Sequence, residues 1–202
     1  KDQFVWLDPF TARNLELVYT QQPGGQSLVD VLDQTVSSMG ARLLRQWVLM
    51  PLKKEHDIVN RLEVVEFLTQ HDDLREQWRE LVKKVGDLER LVSKIGLRKI
   101  NPRELQQLKR GLGITAELKR AFMQADIIEL QVIGEQLSAC ELPFDRISRE
   151  ILEDPALSTT KGQVIASGVN KELDEFRSLA RGGKDYLSQL QQREAQKTGI
   201  TS

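Results

Sequence analysis

Cysteine, histidine and aromatic residues are scarce in this 202-residue chain. The single cysteine, Cys140, excludes a disulfide framework and a cysteine-based zinc site. The only histidines, His56 and His71, are too few for a histidine-rich metal centre. No apolar run approaches the ~18 residues of a membrane-spanning helix, and no signal peptide opens the sequence. We therefore expect a cytoplasmic chain that makes no membrane contact.

Neither positive nor negative charge predominates in the sequence. Lysine and arginine number 29 against 30 acidic residues, so the formal net charge is -1. This balance excludes a uniformly basic nucleic-acid-binding chain and an acidic tail. The length suits one domain with a real core. The sequence starts at Lys1 rather than at methionine and closes on Thr201-Ser202, so we expect a piece of a longer intracellular protein.

The main positive feature of the sequence is the spacing of its apolar residues, which is typical of helices. Capping signals at Ser27, Ser37 or Ser38, Asp87 and Asn101 mark helix starts. The fold class is mainly α: a multi-helix bundle with a long projecting C-terminal helix and a few short strands near the N-terminus and around 157–167. The predicted helices cover about 27–32, 37–50, 55–70, 74–85, 87–95, 101–112, 115–124, 126–140 and 144–153. The buried face of the 55–70 helix is predicted to be Ile58, Leu62, Val65 and Leu68.

The last helix carries a heptad pattern. Its apolar stripe has alternating spacings of four and three residues and comprises Val169, Leu173, Phe176, Ala180, Gly183, Leu187 and Leu190. The same spacing then reaches Glu194 and Lys197, so the stripe turns polar. We expect a helix that is packed along most of its length and leaves its partner at the far end. The domain prediction is a helical bundle over 1–165 and a projecting helix over 166–202.

Motifs of catalysis are weak. The segment Arg181–Asp185 resembles a phosphate-binding loop, but it lacks the first glycine and has Asp185 in place of the hydroxyl residue. The adjacent His56-Asp57 and His71-Asp72 pairs do not share a helix face. The carboxylates near 150–154 are expected on a solvated face. We expect no catalytic residue, no cofactor and no metal site in this chain.

The segment 98–120 is the one basic stretch. It holds seven lysine and arginine residues against two glutamates. A weak DNA contact through phosphates is one interpretation of its first half, which contains Arg98, Lys99, Arg103, Lys109 and Arg110. No aromatic residue in the segment is available to stack on bases. A solvated face or a protein–protein contact therefore stays open.

Ordered motifs along the whole chain carry a resemblance to a known family. They lie, in order, at Thr11–Leu17, Ser27–Leu28, Leu32–Thr35, Met39–Trp47, Pro51–Leu52, Ile58 with Arg61, Asp87–Leu91, Asn101–Arg103, Gly168 with Asn170–Arg177, Arg193–Glu194 and Thr198–Ile200. Together they resemble the lever (core) region of the MutS family of DNA mismatch-repair proteins. Gly168 with Asn170–Arg177 resembles the start of the long helix that runs from the lever to the clamp. Arg193–Glu194 and Thr198–Ile200 resemble the point just before the DNA-facing sheet of the clamp. Ser37 and Val169 depart from the family pattern, which has threonine and commonly an aromatic residue there.

The resemblance implies a mechanical function. In this family the lever couples an ATPase domain, which uses ATP and Mg²⁺, to a DNA-binding clamp. The implied partners of the longer protein are mismatched double-stranded DNA, a second copy in a homodimer, and a downstream repair factor of the MutL type. No Phe-x-Glu mismatch-reading motif and no P-loop occur in this sequence. We therefore expect the chain to couple two activities, ATP hydrolysis and DNA binding, whose sites lie outside it.

Three other interpretations stay open from the residues. A stand-alone helical module could bind a partner helix along the apolar stripe. A weak DNA-binding module could use the basic segment 98–120. An enzyme with an unrecognised site is the third alternative.

Overall fold

Helices make up nearly all of the regular structure. The computed structural model describes residues 3–198, with only the backbone described at positions 184, 185, 188, 189, 194, 197 and 198. The helices within that range are α1 (Pro9–Asn14), α2 (Leu28–Leu32), α3 (Ser38–Leu49), α4 (Glu55–Gln70), α5 (Asp72–Val85), α6 (Leu88–Gly96), α7 (Pro102–Met123), α8 (Ile128–Gln136), α9 (Glu141–Glu150) and α10 (Lys171–Thr198). The mainly α prediction is confirmed.

The predicted helix starts are confirmed by their side-chain caps. The Ser27 hydroxyl accepts from the Asp30 amide, while the Asp30 carboxylate accepts from the Ser27 amide. Ser37 caps α3, and Asp87 caps α6. Asn101 and Glu104 form a second reciprocal capping box at the start of α7. Each cap satisfies an amide that the first turn leaves without an intrahelical partner.

The central element is α7, which packs against α5, α6, α8 and α9. One core cluster contains Trp78, Leu118 and Leu130, with the ring of Phe122 edge-on to Trp78 at 4.9 Å between centroids. The second cluster contains Leu91, Leu108, Leu112 and Ile147. The prediction of separate helices at 101–112 and 115–124 is wrong, because α7 runs unbroken through Gly111 and Gly113. Partners on both sides hold it continuous despite the cost of two glycines.

The N-terminal segment forms a small helical unit. Leu17, Val18 and Val29 are its buried centre, and Leu7 and Val48 pack against them. No signal in the sequence predicted α1, which Asp8 caps by accepting from two backbone amides. The predicted strands reduce, in the described range, to two isolated antiparallel bridges, Phe4 with Leu52 and Ile151 with Ile165.

The buried face of α4 differs from the predicted one. Ile58, Leu62 and Val65 are 40%, 59% and 55% exposed. The packed residues of α4 are Val64, Phe67 and Leu68, which contact the Trp78 cluster. Two apolar faces occur on this helix, and periodicity alone does not show which of them meets a neighbour.

The long C-terminal helix is confirmed, but the prediction that it packs along most of its length is wrong for the described residues. Phe176, Leu187 and Leu190 of the apolar stripe are 61%, 63% and 41% exposed. Apart from their chain neighbours and their own helical backbone, no heavy atom of the described residues lies within 4 Å of a Cβ built at Gly182 or Gly183. The side chains of Glu194 and Lys197, where the stripe was predicted to turn polar, lie outside the described part.

Candidate interaction site along the central helix

Two basic residues of α7 are held by the segment that follows α9. The guanidinium Nε of Arg103 donates to the carbonyl oxygen of Pro155 at 3.1 Å. The Lys109 ammonium pairs with the Glu153 carboxylate at 2.5 Å, and this contact lowers the pKa of Glu153. The buried Gln106 donates from Nε2 to the carbonyl of Leu152 at 2.7 Å. These contacts tie α7 to the 151–155 segment.

The other three predicted contact residues lie elsewhere. Arg98 and Lys99 are exposed in the turn between α6 and α7, where Arg98 takes a left-handed backbone conformation with φ of 54°. Arg110 is exposed and faces a cleft on the side of α7 next to α6. The structure therefore distributes the five residues over three places and does not bring them together as one stripe. A DNA contact through them stays a prediction.

The cleft lies between the α5–α6 turn, α6 and α7 and has a volume of about 960 Å³. Its apolar lining includes Val85, Leu91 and Ile114. Its cationic lining consists of Lys84, Arg90, Lys94 and Arg110, and its carboxylates are Asp87, Glu104 and Glu117. A cavity of this size with an apolar base and a few charged groups suits a bound side chain or a short peptide segment.

Two of the three cleft carboxylates already have cationic partners. Lys94 forms an ion pair with Glu104, and this contact, together with the Asn101 amide, lowers the pKa of Glu104. Asp87 is engaged by Arg42. In contrast, the side chains of Lys84, Arg90 and Arg110 form no ion pair with any described residue.

Arg42 joins α3 to the start of α6. Its Nη1 and Nη2 donate to the two carboxylate oxygens of Asp87 at 3.0 and 2.7 Å, and its Nε donates to Glu89 at 2.9 Å. The fork geometry makes this a charge-assisted bidentate contact. It lowers the pKa of Asp87 and raises the pKa of Arg42. The sequence indicated Asp87 as a cap but gave no signal for a partner 45 residues away.

The base of α10 has its own set of contacts. The Arg177 guanidinium donates to the carbonyl oxygen of Ile165 at 2.9 Å and to Asp174 at 3.2 Å. The Asp174 carboxylate also accepts from the Gly168 amide at 2.7 Å. Gly168 has a φ of +86°, a conformation that favours glycine. These contacts fix the direction in which α10 leaves the bridge between Ile151 and Ile165.

Comparison with known proteins identifies the family. The model of MutS domain III matches residues 10–195. The DNA mismatch repair protein MutS of Bacteroides thetaiotaomicron is 48% identical over all 202 residues, as is that of Phocaeicola vulgatus, and that of Parabacteroides distasonis is 46% identical. The chain belongs to the MutS family. It corresponds to domain III, the lever or core region, and the predicted resemblance is confirmed.

This domain III spans 23% of the length of each of those relatives. The phosphate-loop-like segment at 181–185 lies inside α10, so its glycines are helical and form no loop. Among the described residues, no group of three or more histidine, cysteine, aspartate or glutamate side chains is arranged to hold a metal ion. No helix in the described range is both long enough and apolar enough to cross a membrane.

Proposed function

We propose that this domain III is the lever of a cytoplasmic DNA mismatch-repair protein, which couples ATP hydrolysis at one end to the hold on mismatched DNA at the other. The single observation that carries the proposal is the anchored base of α10. A helix of 28 residues reaches about 42 Å at 1.5 Å per residue. A rotation at its base is therefore converted into a large displacement at its tip.

The proposed domain organisation is a bundle over 1–165 and a projecting helix over 166–202. It is supported by the bridge that ends at Ile165 and by the start of α10 at Lys171. ATP and Mg²⁺ would bind outside these residues, as would the mismatch. The longer protein would act as a homodimer and engage a repair factor of the MutL type. The relatives are DNA mismatch repair proteins, which supports the mismatch-repair assignment.

Coupling between distant sites requires an element with discrete arrangements that both sites bias. The bundle supplies a rigid body, since α7 is packed on several sides. The base contacts of Arg177 supply the joint, because they determine how α10 is oriented on that body. The proposed lever motion thus depends on a few hydrogen bonds at the joint.

The test compares two arginines one turn apart on α10 in the full-length protein. Arg177→Ala removes the contacts to Ile165 and Asp174, whereas Arg181→Ala removes an exposed side chain. We expect Arg177→Ala to slow ATP-triggered release from mismatched DNA by about fivefold or more, which is the low end of typical coupling energies. Steady-state ATP hydrolysis without DNA should stay within about twofold of wild type, since the coupling acts between sites.

The control, Arg181→Ala, should match wild type in both assays. If Arg177→Ala also releases mismatched DNA at the wild-type rate, the joint does not transmit the signal and the proposal is wrong.

A direct DNA contact is a second candidate with narrower support. Its support is that Arg98, Lys99 and Arg110 are exposed and form no ion pair with a described residue. Arg103 and Lys109 are engaged with Pro155 and Glu153. Three cations would give only a weak contact with phosphates, and its salt dependence would be shallow because that dependence scales with the number of phosphates contacted.

A further inference from the structure

The lever hypothesis leaves the cleft beside α7 without a function. The cleft has an apolar base at Val85, Leu91 and Ile114 and cations at Lys84 and Arg90 on its walls. Val85 and Leu91 are buried, which makes the base part of the core and fixes its shape. A site built on packed helices is held more precisely than one on loops.

The charge of the cleft favours an acidic occupant. Arg42 pairs with Asp87 and Lys94 pairs with Glu104, and Arg90 lies close enough to lower the pKa of both carboxylates further. Lys84 and Arg110 form no ion pair with a described residue, and the charge of Arg110 adds to that of Lys109 in lowering the pKa of Glu153. Glu117 is the single acidic lining residue without an ion pair to a described residue. The lining as a whole has four cations, Lys84, Arg90, Lys94 and Arg110, against three carboxylates, so a carboxylate that enters the cleft meets a net positive charge.

The lining favours a peptide over nucleic acid. No aromatic side chain lines the cleft to stack on a base. The apolar base instead accepts an aliphatic side chain, whose burial is favourable in proportion to its area. The matching chemistry is an apolar anchor residue flanked by aspartate or glutamate.

The length of the relatives favours a peptide that belongs to the same polypeptide. This chain corresponds to about a quarter of each of them, so most of the polypeptide lies outside it. A segment tethered to the same chain is present at an effective concentration in the millimolar range. A tethered segment therefore occupies a cleft of modest affinity in preference to a free partner at a lower concentration.

We propose that the cleft formed by the α5–α6 turn, α6 and α7 docks an acidic segment of the same polypeptide that lies outside these 202 residues. The proposal rests on the proposed function only in that the domain works within a longer MutS-family protein. Docking there would fix the bundle to another part of the protein, on the side of α7 that faces α6.

The experiment uses the full-length protein and a carbodiimide, which joins an amine to a carboxylate only where they touch. We expect Lys84 to couple to an aspartate or glutamate outside the 202 residues, as mapped by mass spectrometry. Lys83 is the matched control, because it neighbours Lys84 but does not line the cleft and pairs with Glu80 at 3.6 Å. Mixing isotope-labelled with unlabelled protein shows whether the coupling occurs within one chain.

Charge-neutralising variants test the recognition itself. Arg110→Gln should lower the Lys84 coupling about fivefold or more, since removal of one partner of a close charge pair weakens docking. Arg120→Gln, on the same helix but outside the cleft, should leave it unchanged. Both substitutions are at exposed positions, and circular dichroism verifies that each variant is folded.

Two results would overturn the proposal: no coupling at Lys84 beyond that at Lys83, or coupling only between copies or to another protein. Either result leaves the proposed lever function intact if Arg177→Ala still uncouples release. Conversely, an intrachain coupling at Lys84 with normal release in Arg177→Ala would keep the docking site and reject the lever.

Discussion

At Gly111 the backbone of α7 lies close to the carbonyl group of Val85 at the end of α5. A Cβ built there would lie 2.5 Å from the carbonyl oxygen of Val85 and 2.6 Å from a methyl carbon of Leu88. A backbone oxygen does not move without its helix, so α5 would have to shift. The glycine therefore sets the distance between α7 and the end of α5, next to the cleft. Close approach, rather than a turn, is the reason for a glycine in the middle of this helix.

Gly111→Ala should destabilise the chain by about 1–3 kcal/mol, the usual cost of overpacking. Gly113→Ala on the same helix is the control. Its Cβ would meet only the ring edge of Phe144, at 3.2 Å, and alanine is the better helix former. We expect that variant to stay within about 1 kcal/mol of wild type. Urea unfolding of both variants measures the difference, and equal midpoints would contradict the close-approach argument.

At the scale of elements, the contact of Arg42 with Asp87 and Glu89 attaches the N-terminal helices to the bundle. Asp87 serves two functions, since it caps α6 and accepts the fork of Arg42. Met39 on the same helix as Arg42 packs against the Trp78 cluster, so α3 is held by one apolar and one ionic contact. Of the two, only the ionic contact responds to pH.

The ionic contact predicts an acid-dependent stability. The pKa of Asp87 is lowered in the folded state, chiefly by hydrogen bonds from Arg42. Its contribution is therefore fully present above the unfolded value of about 3.9 and is lost as the pH falls through the lower folded value. Arg42→Gln should be less stable than wild type at pH 7, and the difference should shrink below about pH 4. Urea unfolding between pH 7 and 2.5 measures it.

The control for this titration is Arg13→Gln, because Arg13 is exposed and its side chain forms no ion pair with a described residue. Its stability curve should run parallel to that of wild type. A constant difference between Arg42→Gln and wild type at every pH would show that Arg42 acts by packing alone.

Local signals made most of the elements predictable. The side chains of Ser27, Asp87 and Asn101 each accept from a backbone amide three residues further along the chain. Such a cap can be recognised in the sequence. The unpredicted features depend on residues far apart in the chain. The Arg42–Asp87 contact spans 45 positions, and the choice between the two apolar faces of α4 depends on which helices pack on it. The distribution of the basic segment over three places depends on Glu153 and Pro155 in the same way.

At the scale of the whole molecule, the bundle and α10 differ in how they are stabilised. The α7 helix is held by apolar clusters on several sides. Beyond its base contacts, α10 presents exposed apolar residues such as Phe176, Leu179 and Leu187. Monomeric proteins rarely expose a contiguous apolar strip of this kind without a partner. The strip is thus consistent with a domain that reaches its stable form within a longer chain.

This difference predicts a large contrast in hydrogen exchange. Most of the stability of a helix in a protein comes from tertiary packing of its apolar face, and the described apolar side chains of 178–190 are exposed. Amides of core helices, in contrast, open only with global unfolding. In the 202-residue chain alone, amides at 178–190 should therefore exchange about a hundredfold or more faster than those at 105–118 of α7, as free energies of opening differ by several kcal/mol. In a longer protein whose other segments cover the strip, the 178–190 amides should become protected. Equal protection of the two segments in the 202-residue chain would mean that α10 is stable without a partner.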